Sequence, residues 1–216
     1  MVTKRDKNRV RAPQQRQIER VNTLLDCAAE ILKTKSIEEL SLAEISEKTG
    51  VALPSIYYYY PNKNELLAAL AHKINSYWIN DIHEYAEKID WQALINFATS
   101  EGARFLNESP FAMKVLLSYS SPFDARIADL DSTRELAHEI AELFDRLYQH
   151  FDIDFMKPKM EIYLSILDGI WQAAYNQYGH IPDHVVEEAK LAVVAYLRCY
   201  LPHKLQFKGD ILEKDD

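Results

Sequence analysis

The chain has 216 residues, 48% of them hydrophobic and 27% charged, with five glycines and a formal net charge of −8. That length allows one sizeable core, or a small module joined to a larger one, and so little glycine favours helices over a turn-rich all-β fold. The longest apolar run, 191–197, is far short of the ~20 residues that cross a bilayer, and no apolar stretch follows the basic N-terminus, so neither a membrane partner nor a secretory signal is expected.

Cys27 and Cys199 lie far apart with no C-x-x-C spacing; both read as buried small hydrophobes in a cytoplasmic protein. The charge is unevenly spread. Through residue 20 there are seven basic side chains against two acidic ones, a net +5, which leaves −13 for the remainder. A basic arm on an acidic body suggests attraction to a polyanion at one end only.

In chain order, Pro13 suits the start of a first helix near Gln14 that runs toward Thr34, with Ile18, Val21, Leu25, Ala28, Ala29 and Leu32 on one face. A second, short helix opens on Ser41 and Glu44, spaced as a capping box, and ends at Gly50, where a left-handed residue is wanted. A third runs from about Leu53 to Tyr59, with Pro54 tolerated in its first turn and Pro61 ending it. Asn62 and Glu65 cap a long fourth helix toward Ile89. Two short helices joined by a tight Gly-containing turn, behind a longer one, form a helix-turn-helix.

Beyond lies a larger helical body without repeats. Asp90 and Trp91 open a fifth helix, Ser109-Pro110 a sixth, and Ser132 with Glu135 a seventh reaching His150. The last two span about 157–178 and 183–200, separated by Gly179 and Pro182. The fold class is therefore all-α: residues 1–61 as basic arm and helix-turn-helix domain, and 62–216 as a second helical domain.

The run SIYYYYPNK, 55–63, places four tyrosines on one short helix. Successive residues are displaced by about 100°, so the four rings cannot all be core. Ile56 and Tyr60 suit packing, whereas Ser55, Tyr58 and Tyr59 would face outward. A phenol can donate to phosphate and its ring can press on sugar or a thymine methyl.

The stretch SLAEISEKTGVALPSIYYYYPNKNELL resembles the DNA-binding signature of the TetR family of transcriptional regulators, which Gly50, Val51, Tyr57, Tyr60 and Lys63 match. The resemblance implies that Tyr57 and Lys63 hold phosphates, that Ser55, Tyr58 and Tyr59 lie toward the major groove, and that Ser41 sits near the backbone at the second helix's N-terminus. Ala52, Leu53 and Pro54 depart from the family's usual polar residues, which leaves few groups for reading bases.

In the eighth helix, Met160, Tyr163, Leu164, Leu167, Trp171, Ala174, Tyr175 and Tyr178 form one apolar stripe, and Ile162, Ile166, Gly169 and Ala173 form another. A helix apolar on two sides must bury both. With Val186, Val193 and Leu197 of the last helix, the second stripe is expected to pack across a two-fold axis, as TetR-like proteins dimerise. By resemblance a ligand cavity lies among the fourth to eighth helices, with Trp78, Phe97, Phe105, Met113, Phe144, Tyr148 and Trp171 as candidate linings. Arg104 could meet an anionic ligand or pair with Glu101.

No phosphate loop, HExxH or nucleophile elbow is present, and Gly179 and Pro182 interrupt the helix that His180 and His184 would need to share a metal, so neither an enzyme nor a metal or cofactor is expected. The expected function is a homodimeric, DNA-binding repressor that a small molecule releases from its double-stranded operator. The alternative is a helical carrier that has lost DNA binding.

Overall fold

Helix α1 (Lys4–Thr34) begins ten residues before the expected start at Gln14, and Pro13 lies inside it. The Lys, Arg and Gln residues around that proline are good helix formers, and the helix runs on despite the hydrogen bond that a proline cannot make. The computed structural model describes residues 4–86, 89–117 and 123–208, with the side chains of 16–75, 86, 89–117 and 133–208 among them. Among these residues there are nine helices and no strand, and no helix is long and apolar enough to cross a membrane.

After α1 come α2 (Leu42–Thr49), α3 (Leu53–Tyr59) and α4 (Lys63–Ala86). Ser41 caps α2, its hydroxyl accepting from Glu44 N at 3.2 Å. The reciprocal half of the capping box is missing, because the Glu44 carboxylate is taken by Lys35, whose ammonium donates to both of its oxygens at 2.9 Å. Gly50 adopts φ 69° and donates to Ser46 O, and the Ser46 hydroxyl donates to Val51 O at 2.7 Å. The turn between α2 and α3 is thus pinned by side chain and backbone together. Leu42, Ile45 and Ile56 bury its inner face against Leu24, Ala28, Leu32, Leu66 and Leu70 of the flanking helices.

The larger body comprises α5 (Trp91–Glu108), α6 (Pro110–Leu117), α7 (Phe123–Leu147), α8 (Ile153–Tyr178) and α9 (Asp183–Arg198). Asp90 caps α5 through Gln92 N and Ala93 N, and Gly179 ends α8 at φ 74°. Helix α7 starts nine residues before Ser132, so the Ser132/Glu135 pair is no cap; Glu135 instead meets His72 Nδ1 on α4 at 3.2 Å. Helix α8 starts earlier than expected, at an Asp152 cap that accepts from Phe155 N, and carries Pro158 inside. Cys27 is half-buried, as a small hydrophobe would be, but Cys199 is exposed at the end of α9.

An element with no periodic pattern closes the body. Residues 201–208 run back over α5 and the α7–α8 junction: Trp91 Nε1 donates to Pro202 O at 3.0 Å, Gln92 Nε2 to His203 O at 2.7 Å, and Gln149 N to Gln206 O at 2.8 Å. Phe207 stacks beside Tyr148, ring centroids 5.0 Å apart.

Candidate nucleic-acid interface and cavity

Helix α3 presents its tyrosines unequally. Tyr58 is 79% and Tyr57 49% exposed, whereas Ile56 is fully buried and Tyr60 is 6% exposed. Tyr60 has left the helix, with φ −132° and ψ 91°, because Pro61 disfavours helical geometry in the residue before it. That bend separates it from Tyr57, and burial pushes its hydroxyl's pKa up to about 12. Tyr59, expected outward, is instead half-buried against the core and edge-on to Tyr58, ring centroids 5.3 Å apart. Ser55 is half-buried, and Ala52 starts α3 without a side-chain cap.

Lys63, expected at a phosphate, donates to Ile37 O at 2.9 Å and Glu38 O at 3.2 Å. Two of its three ammonium protons thus hold the α1–α2 connection against the first turn of α4. Ser41 is exposed with its oxygen already accepting the Glu44 amide.

Helices α4 to α8 surround a cavity of about 80 Å³, several times the roughly 10–15 Å³ that one water needs. Its walls include Ala98 and Gly102 of α5, Leu116 and Leu117 of α6, and Leu136 and Ile140 of α7. Asn75 of α4 and Tyr163, Asp168 and Trp171 of α8 add polar groups and an aromatic face. Tyr163 is buried, which raises its pKa and keeps it protonated; its hydroxyl is bonded to Thr99. Thr99, itself buried, donates its hydroxyl proton to Ile95 O at 2.8 Å.

Of the expected lining residues whose side chains are described, only Trp171 is in this wall. Phe144 and Tyr148 belong to a separate aromatic cluster with Phe151 and Phe207. There the Tyr148 hydroxyl is buried without a hydrogen-bond partner among the described residues. Met113 is core, and Phe97 and Phe105 are half-buried outside the wall. The Trp78 side chain lies outside the described residues. Arg104 is an exposed surface cation held by Glu101 at 2.5 Å and Glu108 at 2.8 Å, an arrangement that raises its pKa further. Asn75, a wall residue on α4, is one that the sequence analysis did not single out.

The outward stripe of α8 is present: Ile162 is 49% exposed, Gly169 and Ala173 are exposed, and Ile166 is half-buried. A Cβ added at Gly169 would meet nothing within 4 Å. The expected α9 partners are corrected. Val186, Val193 and Leu197 are buried inside the protomer, and the outward residues of that helix include His184, Glu188, Leu191 and Ala195. Apolar residues at helical spacing mark a buried face without saying which neighbour buries it. His180 and His184 both lie near the Tyr178 ring, and no group of three metal-ligating side chains occurs among the described residues.

The family model for bacterial regulatory proteins of the tetR family matches residues 24–70, which span most of α1 through the first turns of α4. A TetR transcriptional regulator from Rhodococcus sp. RHA1 is similar with a TM-score of 0.67 at 17% identity, over 86% of this chain and 100% of that one. The TetR family repressor AlkX from Dietzia sp. strain DQ12-45-1b, implicated in biodegradation of n-alkanes, gives 0.62 at 13% identity, over 85% and 98%. RolR in complex with its ligand resorcinol gives 0.63 at 14% identity, over 84% and 89%. These likenesses are of fold. The pinned α2–α3 turn and its tyrosines lie inside the segment that matches the tetR-family model, and the chain as a whole shares the fold of TetR-family transcriptional regulators.

Proposed function

We propose that the chain is a homodimeric repressor that docks α3 in the major groove of a double-stranded operator and lets go when a small, largely apolar molecule fills the cavity. The observation that carries this reading is the exposure of Tyr57 and Tyr58 on a short helix whose other face is fully buried. Exposed phenols cost little to desolvate onto phosphate, sugar and base edges. Ser41 and Ser55 flank them, the half-buried Tyr59 ring supports Tyr58, and the ammonium proton of Lys63 left over from its two carbonyls can reach a phosphate. The net +5 of residues 1–20 adds sequence-independent attraction in the cytoplasm.

The division at residue 61/62 falls just before α4, a helix that touches both the helix-turn-helix and the cavity. RolR, which shares this fold, is known with resorcinol bound, which supports a small-molecule effector here. AlkX, named a repressor, supports the sign of regulation. A carrier that had lost DNA binding would have no use for an uncovered Tyr58.

The dimer is proposed through the outward stripes of α8 and α9, around Ile162, Ile166, Gly169, Ala173 and Leu191. In a two-fold interface each residue lies close to its own symmetry mate or to a fixed partner, so one buried charge is introduced twice. The Ile162→Glu, Leu191→Glu double variant is expected to sediment as a monomer and to bind DNA at least about a hundredfold more weakly, because two tethered half-site contacts become one. A variant that stays dimeric would put the interface elsewhere; a monomer with full DNA affinity would sink the two-half-site reading.

A further inference from the structure

Helix α6 has only two turns, and it carries both cavity wall and an unusual polar contact. Leu116 and Leu117 line the cavity. Lys114, on the same two turns, donates its ammonium to Leu32 O at 2.9 Å and to Lys35 O at 3.0 Å. The last carbonyls of a helix have no amide partners further along, and a cation there also meets the negative end of the helix dipole. Lys114 is therefore a cap for α1 supplied from another helix, half-buried and close-range.

The contact does not end at α1. Lys35, whose carbonyl Lys114 holds, grips both carboxylate oxygens of Glu44 on α2 at 2.9 Å. Two residues further on, Lys63 holds Ile37 O and Glu38 O from α4. Helix α4 also reaches the cavity, through Asn75. The segment that sets the position of α2 is thus suspended between two ammonium groups, one on each of two helices that wall the cavity.

We infer that Lys114 is the positioning residue through which cavity occupancy reaches the DNA-binding helices. A molecule that pushes on Leu116 and Leu117 moves α6, and Lys114 draws the end of α1 and, through Lys35 and Glu44, the α2–α3 pair with it. This inference rests on the cavity being the effector site. Coupling between two sites is a ratio of affinities, typically about 5- to 150-fold, so the ratio is the quantity to measure.

Because the natural effector is not identified, the cavity is filled from within. Ala98→Leu adds three carbons to the wall, and Leu136→Phe is a second filler. DNA affinity is measured by fluorescence anisotropy on a duplex selected by the wild-type protein from a random pool, with melting temperature and near-ultraviolet circular dichroism recorded for each variant. In the Lys114 background a filler is expected to weaken DNA binding at least about tenfold. In Lys114→Met the same filler should change it less than about twofold, and Lys114→Arg should restore the full ratio. Lys114→Gln, which keeps an N–H donor group but loses the charge and some reach, should fall between and serves if the Met variant does not fold. Equal weakening in all backgrounds would overturn the role of Lys114 and leave the cavity reading standing. Folded fillers that leave wild-type DNA affinity unchanged would remove the cavity reading and this inference together.

Discussion

Truncating Tyr58 to alanine is expected to weaken DNA binding roughly 30- to 150-fold, at about 1–1.5 kcal/mol per lost contact in each of two copies. The free protein should lose almost nothing. Tyr58 is 79% exposed and contributes mainly an edge-on contact to the half-buried Tyr59, so its removal should stay within about 0.5 kcal/mol of wild-type stability. Because the phenol is uncharged, the dependence of affinity on salt should keep its slope. Lys63→Met should behave differently. It frees the carbonyls of Ile37 and Glu38 and loosens the α1–α2 connection, so affinity and melting temperature should fall together. Anisotropy titrations at several salt concentrations, beside thermal melts, separate the two. A Tyr58→Ala protein that binds as tightly as wild type would take α3 out of the groove.

Trp91→Ala is expected to carry the largest stability loss, about 3–5 kcal/mol, with a melting temperature lower by on the order of 10 °C. The indole is fully buried at the start of α5, and its Nε1–H holds Pro202 O at 3.0 Å, so truncation opens a cavity and unfastens the closing segment at once. Trp91→Phe keeps most of the packing and loses the donor, and should cost clearly less. Denaturant melts of both variants check this, and near-wild-type stability of Trp91→Ala would mean that residues 201–208 contribute little to the body.

Local chemistry made much of this molecule legible in advance. Ser41, Asn62 and Asp90 cap where a short polar side chain precedes an apolar pattern, and Gly50 and Gly179 end helices in the left-handed region. What could not be read depends on distant partners. Ser132 and Glu135 have the spacing of a cap, but favourable residues upstream let α7 run through them. Val193 and Leu197 looked like one more apolar face, and only packing decides that they face α9's own protomer.

The candidate site divides in the same way. Ile56 and Tyr60 as packing residues and Tyr58 as an outward one follow from helix geometry and Pro61. Phe144 and Tyr148 were candidate linings because aromatic residues suit both cores and cavities, and the aromatic cluster closed by Phe207 claims them. Lys63 and Lys114 gave no sequence signal of their actual contacts, since the carbonyls they hold lie 25 or more residues away.

The measurement closest to the central claim is selection of duplexes from a random pool by the purified protein at physiological salt, followed by stoichiometry on the enriched sequence. The account predicts a pseudo-palindrome with half-sites one helical turn or a multiple of it apart, bound by an even number of chains. Recovery of no sequence above the starting pool, or of one bound by a single chain, would contradict it.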